Sequence, residues 1–210
     1  GVVVSRLGAR VNPQATIRIQ DAASRHHSES VTILYNQPRV AGNSPPEDDR
    51  SAVARLLRAD NHWHEDSSRL QFRTSHLRGL ASAGRLDSGE TGMLVFTHEG
   101  GVARRVTGRD AKLEKEYHVR IEGELPAEAL ERLRHGLSLD GIKLRPAQVS
   151  WLGAQLLRFV LHENRKRQIQ RMCELVGTRA TTIKRVRIGS VSLGPLPPGQ
   201  WRYLRSDERF

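Results

Sequence analysis

Apolar and polar positions along the chain predict short strands and short helices in irregular alternation. The predicted strands are Val31–Tyr35, Met93–Phe96, Glu116–Ile121, residues 142–151, residues 154–161 and Ile183–Leu193. The predicted helices are one that carries Val53 and Leu57, Gly100–Arg105, one that Pro126 opens, and Arg167–Val176. A turn is predicted over Pro195–Arg202. This irregular order favours an α+β fold with a mixed, mainly antiparallel central sheet and flanking helices.

The first residues have a pattern of their own. Gly1–Ala23 alternates around Asn12 and Pro13 and predicts two short strands, which are too few to bury a core. The polar residues 24–30 predict a linker. We therefore expect two units: residues 1–26 as the remnant of a small N-terminal domain with its linker, and residues 27–210 as the main domain.

The charge of the chain points to a polyanionic partner. Lys and Arg number 34 against 23 Asp and Glu, a net charge of +11. Such an excess attracts nucleic acid, although a basic surface without that role is the competing interpretation. The single cysteine, Cys173, permits no intramolecular disulfide, so we expect a reducing compartment, the cytoplasm, and a buried, inert thiol. No apolar stretch approaches the roughly 20 residues of a membrane helix, so no membrane association is expected.

Two loop and strand segments carry residues suited to chemistry. Gly84–Gly92 is a polar, glycine-rich loop between two apolar runs, and it can hold Asp87 rigidly near a pocket. An ordinary turn explains the same composition. In Lys115–Val119, strand alternation places Lys115 and Tyr117 on one face. Tyr117 then either stacks on a nucleic-acid base or packs in the core.

The third segment is the basic run Arg165–Met172. Helical spacing sends Ile169 and Met172 inward and leaves Arg167 and Arg171 largely free to contact phosphates. A solvated basic helix face is the competing interpretation.

Two pairs of histidines raise the question of a metal. His26 and His27 are adjacent, and His62 and His64 are separated by one residue. Neither pair has a nearby set of cysteines or further carboxylate ligands at a recognisable spacing. We therefore expect no metal site.

The three segments, taken in order, resemble the signature motifs of a known family. Gly84–Asp87, Lys115–Val119 and Arg167–Met172 are similar to the three motifs of the RsuA-like branch of RNA pseudouridine synthases. The resemblance covers the chain from about Val31 to Arg202 and is closest to the members that modify large-subunit ribosomal RNA. It implies the family's catalytic fold and ribosomal RNA as the partner, and residues 1–26 resemble the end of the small RNA-binding domain that precedes this fold. A monomer is the default expectation.

The resemblance also implies roles for individual residues. Asp87 is implied to be the essential carboxylate, which acts on the ribose while the uracil leaves through nitrogen 1, rotates and rejoins through carbon 5. It either bonds to the sugar or removes a ribose proton. Arg85 is implied to fill the space of a flipped nucleotide, and Tyr117 to pack against the target base. No electron, hydride or phosphate moves, so no cofactor is expected. The remaining substrate-binding positions that the resemblance implies are Lys115, Arg167, Ile169, Gln170 and Arg171.

Two positions depart from the family pattern. The family has Arg or Lys where this chain has Gln170, and that cation pairs with the catalytic Asp; here Gln170 is expected to hydrogen-bond Asp87, or Arg171 to supply the charge. The family also has Ser or Thr three residues after the Asp, where this chain has Glu90. These departures leave open a second hypothesis, an RNA-binding or ribosome-assembly protein that keeps the fold without the chemistry. A third is a domain that binds other polyanions.

Overall fold

The computed structural model describes residues 30–39, 50–108 and 113–210. The strands and linker predicted for the N-terminal part, and with them the proposed unit of residues 1–26, lie outside these ranges.

Short elements make up the described part of the chain. The strands are β1 (Thr32–Gln37), β2 (Ala81–Ala83), β3 (Glu90–Thr97), β4 (Lys115–Glu122), β5 (Ser138–Leu139), β6 (Ile142–Lys143), β7 (Gln148–Gly153), β8 (Leu156–Leu161), β9 (Arg179–Ile188), β10 (Val191–Ser192) and β11 (Trp201–Tyr203). The helices are α1 (Arg50–Leu56), α2 (Gly100–Thr107), α3 (Ala127–Arg134) and α4 (Gln168–Leu175). Two 3-10 turns lie at Ala59–Asn61 and Thr74–Leu77. These helices contain at most eight residues, and in the described ranges none is long and apolar enough to cross a membrane.

A nine-stranded sheet with the order β11-β1-β3-β9-β4-β8-β7 forms the centre of the fold. Strand β2 also pairs with β3, and β10 with β9, while β5 and β6 form a separate hairpin. Among the described strands the pairing of β3 with β9 is parallel and the other strand pairings are antiparallel. The predicted α+β fold with a mixed, mainly antiparallel sheet and flanking helices is confirmed.

Helix α4 packs on the face of the sheet that contains the buried side chains of β4. Strand β4 alternates buried and partly exposed residues, and its buried residues include Tyr117 and Val119. These side chains pack in one core cluster with Ile169 and Met172 of α4. Because the apolar side of α4 is anchored in this core, its first turn is held at a fixed place beside the sheet.

Three of the predicted boundaries are wrong. Trp201–Tyr203, within and just after the predicted turn, forms β11, because Trp201 and Tyr203 are fully buried and the strand pairs with β1. The predicted strand over residues 142–151 divides into the end of a hairpin and β7. The predicted final strand ends at Ile188, where Gly189 adopts a positive φ of 56° and turns the chain into β10.

Candidate active site

Asp87 lies in the loop between β2 and β3, opposite the first turn of α4. Its Oδ2 accepts a hydrogen bond of 2.6 Å from the backbone N–H of Arg167. Arg167 is the N-cap residue of α4, with a left-handed φ of 51°. The carboxylate therefore faces the positive end of the helix, where an anion is stabilised by the helix dipole and by free backbone N–H groups. The first and third of the predicted segments meet at this hydrogen bond.

Arg185 of β9 holds the loop from below. Its guanidinium is fully buried and donates to the carbonyl oxygens of Gly84 at 2.7 Å and Arg85 at 3.2 Å, just before Asp87. It also donates twice to the carbonyl oxygen of Met93, at 2.8 and 3.0 Å. One rigid, planar group thus joins the two ends of the loop, which restricts where Asp87 can lie.

The sequence interpretation missed Arg185, although a signal was present. Arg185 lies two residues after the buried Ile183 in a predicted strand, so strand geometry places both on the same inward face. A charged residue at an inward-facing position of a strand requires buried hydrogen-bond partners. Such a position is a candidate for a structural or functional role.

Gly92 permits the close approach of β3 to β9 at the same place. It is paired with Arg185 across the two parallel strands and has a φ of +100°. A Cβ atom at this position would lie 2.3 Å from the carbonyl oxygen of Arg185. A side chain at position 92 would therefore push the two strands apart beneath the loop.

The side chain of Glu90 stabilises the loop by accepting a hydrogen bond from the loop backbone. Its Oε2 accepts a hydrogen bond of 3.0 Å from the N–H of Asp87, and the residue is 9% exposed. Burial raises the pKa of this carboxyl; the hydrogen bond from the N–H of Asp87 partly offsets that rise, the charge of Asp87 adds to it, and the charge of Arg185 opposes it. Glu90 is the third residue after Asp87, where the motif it resembles has Ser or Thr. In this chain a carboxylate therefore accepts the hydrogen bond from the N–H of Asp87.

Tyr117 of β4 completes the cluster. It is paired with Arg185 across β4 and β9 and is 3% exposed. Burial raises the pKa of its phenol, and Arg185 partly offsets this rise. Glu90 and Asp87 also raise the pKa of Tyr117, so both carboxylates lie within electrostatic range of it. The second predicted segment is thereby brought to the other two.

The expected partners of Asp87 at positions 170 and 171 are wrong. The Oε1 of Gln170 accepts from Nε of Arg167 at 2.6 Å, and no hydrogen bond of the described residues joins Gln170 to Asp87. Arg171 makes a paired contact with Asp140, at 2.6 and 2.9 Å. The reason is geometric: Asp87 approaches the N-terminal end of α4 and its backbone, whereas these side chains leave the helix one turn further on.

The remaining predicted positions differ in exposure. Arg85 and the side chain of Arg167 are exposed. Ile169 is 2% exposed and lies in the core cluster that also contains Tyr117. Lys115 lies two residues before Tyr117 on the same buried face of β4 and is 7% exposed.

Comparison with known proteins gives a consistent result. The family model of RNA pseudouridylate synthase matches residues 43–175. An uncharacterized RNA pseudouridine synthase of Aquifex aeolicus is 29% identical over 99% of this chain and 80% of its own length. One of Mycobacterium bovis is 31% identical over 99% of this chain and 79% of its own. The ribosomal small subunit pseudouridine synthase A of Vibrio cholerae is 33% identical over 63% of this chain and 59% of its own.

A solved structure shares the fold. A crystal structure of a pseudouridylate synthase superimposes with a TM-score of 0.67, covering 83% of this chain and 70% of that one, at 24% identity.

Proposed function

The chain belongs to the RNA pseudouridylate synthase family and is an RNA pseudouridine synthase; from this premise we propose that it isomerises a uridine of ribosomal RNA with Asp87 as the essential carboxylate. The observation that carries the assignment of Asp87 is its position: a carboxylate at the N-terminus of α4, on a loop held by a buried arginine, within electrostatic range of Tyr117.

In the proposed reaction the bond from ribose carbon 1 to nitrogen 1 of uracil breaks, and a bond from the same ribose carbon to carbon 5 forms. Nitrogen 1 gains a proton and carbon 5 loses one, so the atoms balance without a co-reactant. Asp87 acts on the sugar, either as a nucleophile at the ribose carbon or as a base that removes a ribose proton. Either role requires a fixed carboxylate, and the hydrogen bond from the N–H of Arg167 holds Asp87 at the N-terminal end of α4.

Tyr117 and Arg85 contribute in different ways to this proposal. Because burial raises the pKa of Tyr117, the phenol stays protonated and serves as a wall and hydrogen-bond donor beside the base. Arg85 is exposed next to Asp87, where its side chain can replace a nucleotide that has left the RNA stack. The exposed Arg167 presents further positive charge at the beginning of α4, whereas the charge of Arg171 is paired with that of Asp140.

Glu90 and Arg185 compensate for the departures from the family pattern. Glu90 fixes the backbone of Asp87 in place of a hydroxyl. Arg185 supplies a fixed positive charge beneath the loop in a chain whose position 170 is neutral. We therefore expect the reaction to proceed without a cation at residue 170.

Large-subunit ribosomal RNA is the substrate to test first, because the sequence motifs favour it. Small-subunit ribosomal RNA is the competing target, because relatives from Vibrio cholerae and Pseudomonas aeruginosa are named for the small subunit. Transcripts of both RNAs, labelled with tritium at carbon 5 of uridine, should release tritium when incubated with the protein. Asp87→Asn should abolish release. Asp60→Asn, which changes an exposed carboxylate paired with Arg58, should leave it unchanged.

Sequencing of pseudouridine in the reacted transcripts then identifies the target. RNA binding without tritium release from either RNA would favour the non-catalytic hypothesis and refute the role of Asp87. Release that persists in Asp87→Asn would refute the assignment of the carboxylate alone.

A further inference from the structure

A cavity of about 420 Å³ adjoins the Asp87 site without including it. Its walls come from the end of α2, from the beginning of β4, from the segment that joins β8 to α4, and from Arg145. The joining segment continues to Arg167, whose N–H binds Asp87, and Lys115 in the cavity wall lies two residues from Tyr117. The distance along the strand between these two residues is about 7 Å, which is on the scale of one nucleotide.

Lys115 is an unusual wall residue because it is a cation in a side chain that is almost fully buried, with the residue 7% exposed. Within the described part of the chain, its side chain makes no hydrogen bond or ion pair. The charge that acts on it most is that of Arg185, which is also positive. Burial, followed by this repulsion, lowers the pKa of Lys115 to about 8. A charge in so buried a residue is normally paired, and none of the described residues pairs with the Lys115 side chain.

The other charged groups of the cavity do not supply that partner. Glu163 is the carboxylate among the lining residues, and its side chain is 13% exposed. It already accepts hydrogen bonds from the backbone N–H of Arg145 at 3.0 Å, from Nε of Arg165 at 3.2 Å and from Nε2 of Gln168 at 3.2 Å. Arg145 and Arg165 add two positive charges to that of Lys115. The described lining residues therefore carry a net positive charge, which can attract an anion.

We propose that this cavity binds a phosphodiester group of the RNA strand next to the target uridine, with Lys115 as its buried cation and Arg145 and Arg165 at its rim. The proposal rests on the proposed function, since the strand must enter from the Asp87 site. A phosphodiester fits because it carries one negative charge and several acceptor oxygens, which an ammonium with three donors can bind. Binding of the anion would offset the cost of burying Lys115 and would give the strand one fixed position relative to Asp87.

The test measures binding of a fluorescent ten-nucleotide oligouridylate over a range of salt concentrations. We expect Lys115→Met to weaken binding several-fold and to reduce the slope of log affinity against log salt by about 0.7, the value for one lost phosphate contact to a single strand. Arg120→Met is the matched control, because it removes an exposed cation from the same strand. It should change affinity and slope much less than Lys115→Met.

A second oligouridylate with neutral methylphosphonate links identifies the group that Lys115 binds. The wild type and Lys115→Met should bind this uncharged strand equally, since the contact is absent from both complexes. An unchanged salt slope in Lys115→Met, or the same loss with the neutral strand, would overturn the proposal. A labelling experiment with an amine reagent gives a further check. If inorganic phosphate protects Lys115 and oligouridylate does not, the site binds a free anion and the proposal is overturned.

These results are separable from those on the reaction. Tritium release that requires Asp87, together with unchanged binding by Lys115→Met, refutes the phosphate site and leaves the proposed function intact. The reverse pattern refutes the function and leaves a backbone-binding cavity.

Discussion

Replacing Lys115 by Met should make the free protein more stable at neutral pH. The pKa of Lys115 is lowered from 10.5 to about 8, chiefly by burial. A shift of this size corresponds to a cost of about 3 kcal/mol for holding the charged form in the folded state. At about pH 7 the lysine is protonated in both the folded and the unfolded state, so the whole cost applies. Met has a similar length and carries no charge, so Lys115→Met should raise the free energy of unfolding by up to about 3 kcal/mol.

The sign of the pH dependence separates this cause from a general improvement in packing. Between about pH 8 and pH 10.5 the folded-state lysine is neutral while the unfolded chain still binds the proton. The unfolded state then binds more protons, so the stability of the wild type rises with pH and the advantage of the variant falls. At about pH 9.5 the advantage should be about 1 kcal/mol.

Urea unfolding of the wild type and of Lys115→Met at these two pH values provides the measurement, because the difference between the two proteins cancels other titrating groups. Lys143→Met, at an exposed lysine, should change stability little and equally at both pH values. A variant that is less stable than the wild type at neutral pH, or an advantage of the same size at both values, would refute an unpaired buried charge.

Three further substitutions or labels test the packing around the site. Arg185→Met should cost about 3–5 kcal/mol of unfolding free energy, because it leaves buried carbonyl groups without donors; a thermal midpoint close to that of the exposed control Arg120→Met would contradict this. Gly92→Ala should cost about 2–6 kcal/mol from strain at positive φ and from the 2.3 Å contact. Gly89→Ala, with positive φ but open space around the Cβ position, should cost less, and equal losses would argue against the contact. Cys173 is fully buried, and its pKa is raised to about 12, first by burial and then by the charge of Glu174. A thiol reagent should therefore label Cys173 only when the protein unfolds. Rapid labelling of the native protein would show that the thiol is not buried.

The sequence predicted the elements whose signals are local. The strand Glu116–Ile121 was visible in its alternation, and the structure extends it by one residue at each end. Helix α4 was visible in its apolar spacing and begins one residue later than predicted. Both patterns depend on neighbours within one turn or one strand, so they can be recognised without knowledge of the fold. The strand β11 was missed because its pairing with β1 joins residues more than 160 positions apart, such as Tyr35 and Trp201.

For the site, the sequence by itself indicated three segments that the structure brings together: the loop that presents Asp87, the strand that carries Tyr117, and the basic helix that follows. The tertiary structure decided how they are supported. The contact of Asp87 with the backbone of Arg167 spans 80 residues, and that of Arg185 with Met93 spans 92. Such contacts arise only when β3, β4 and β9 pair and α4 packs beside them, and no periodicity within a single segment contains that information.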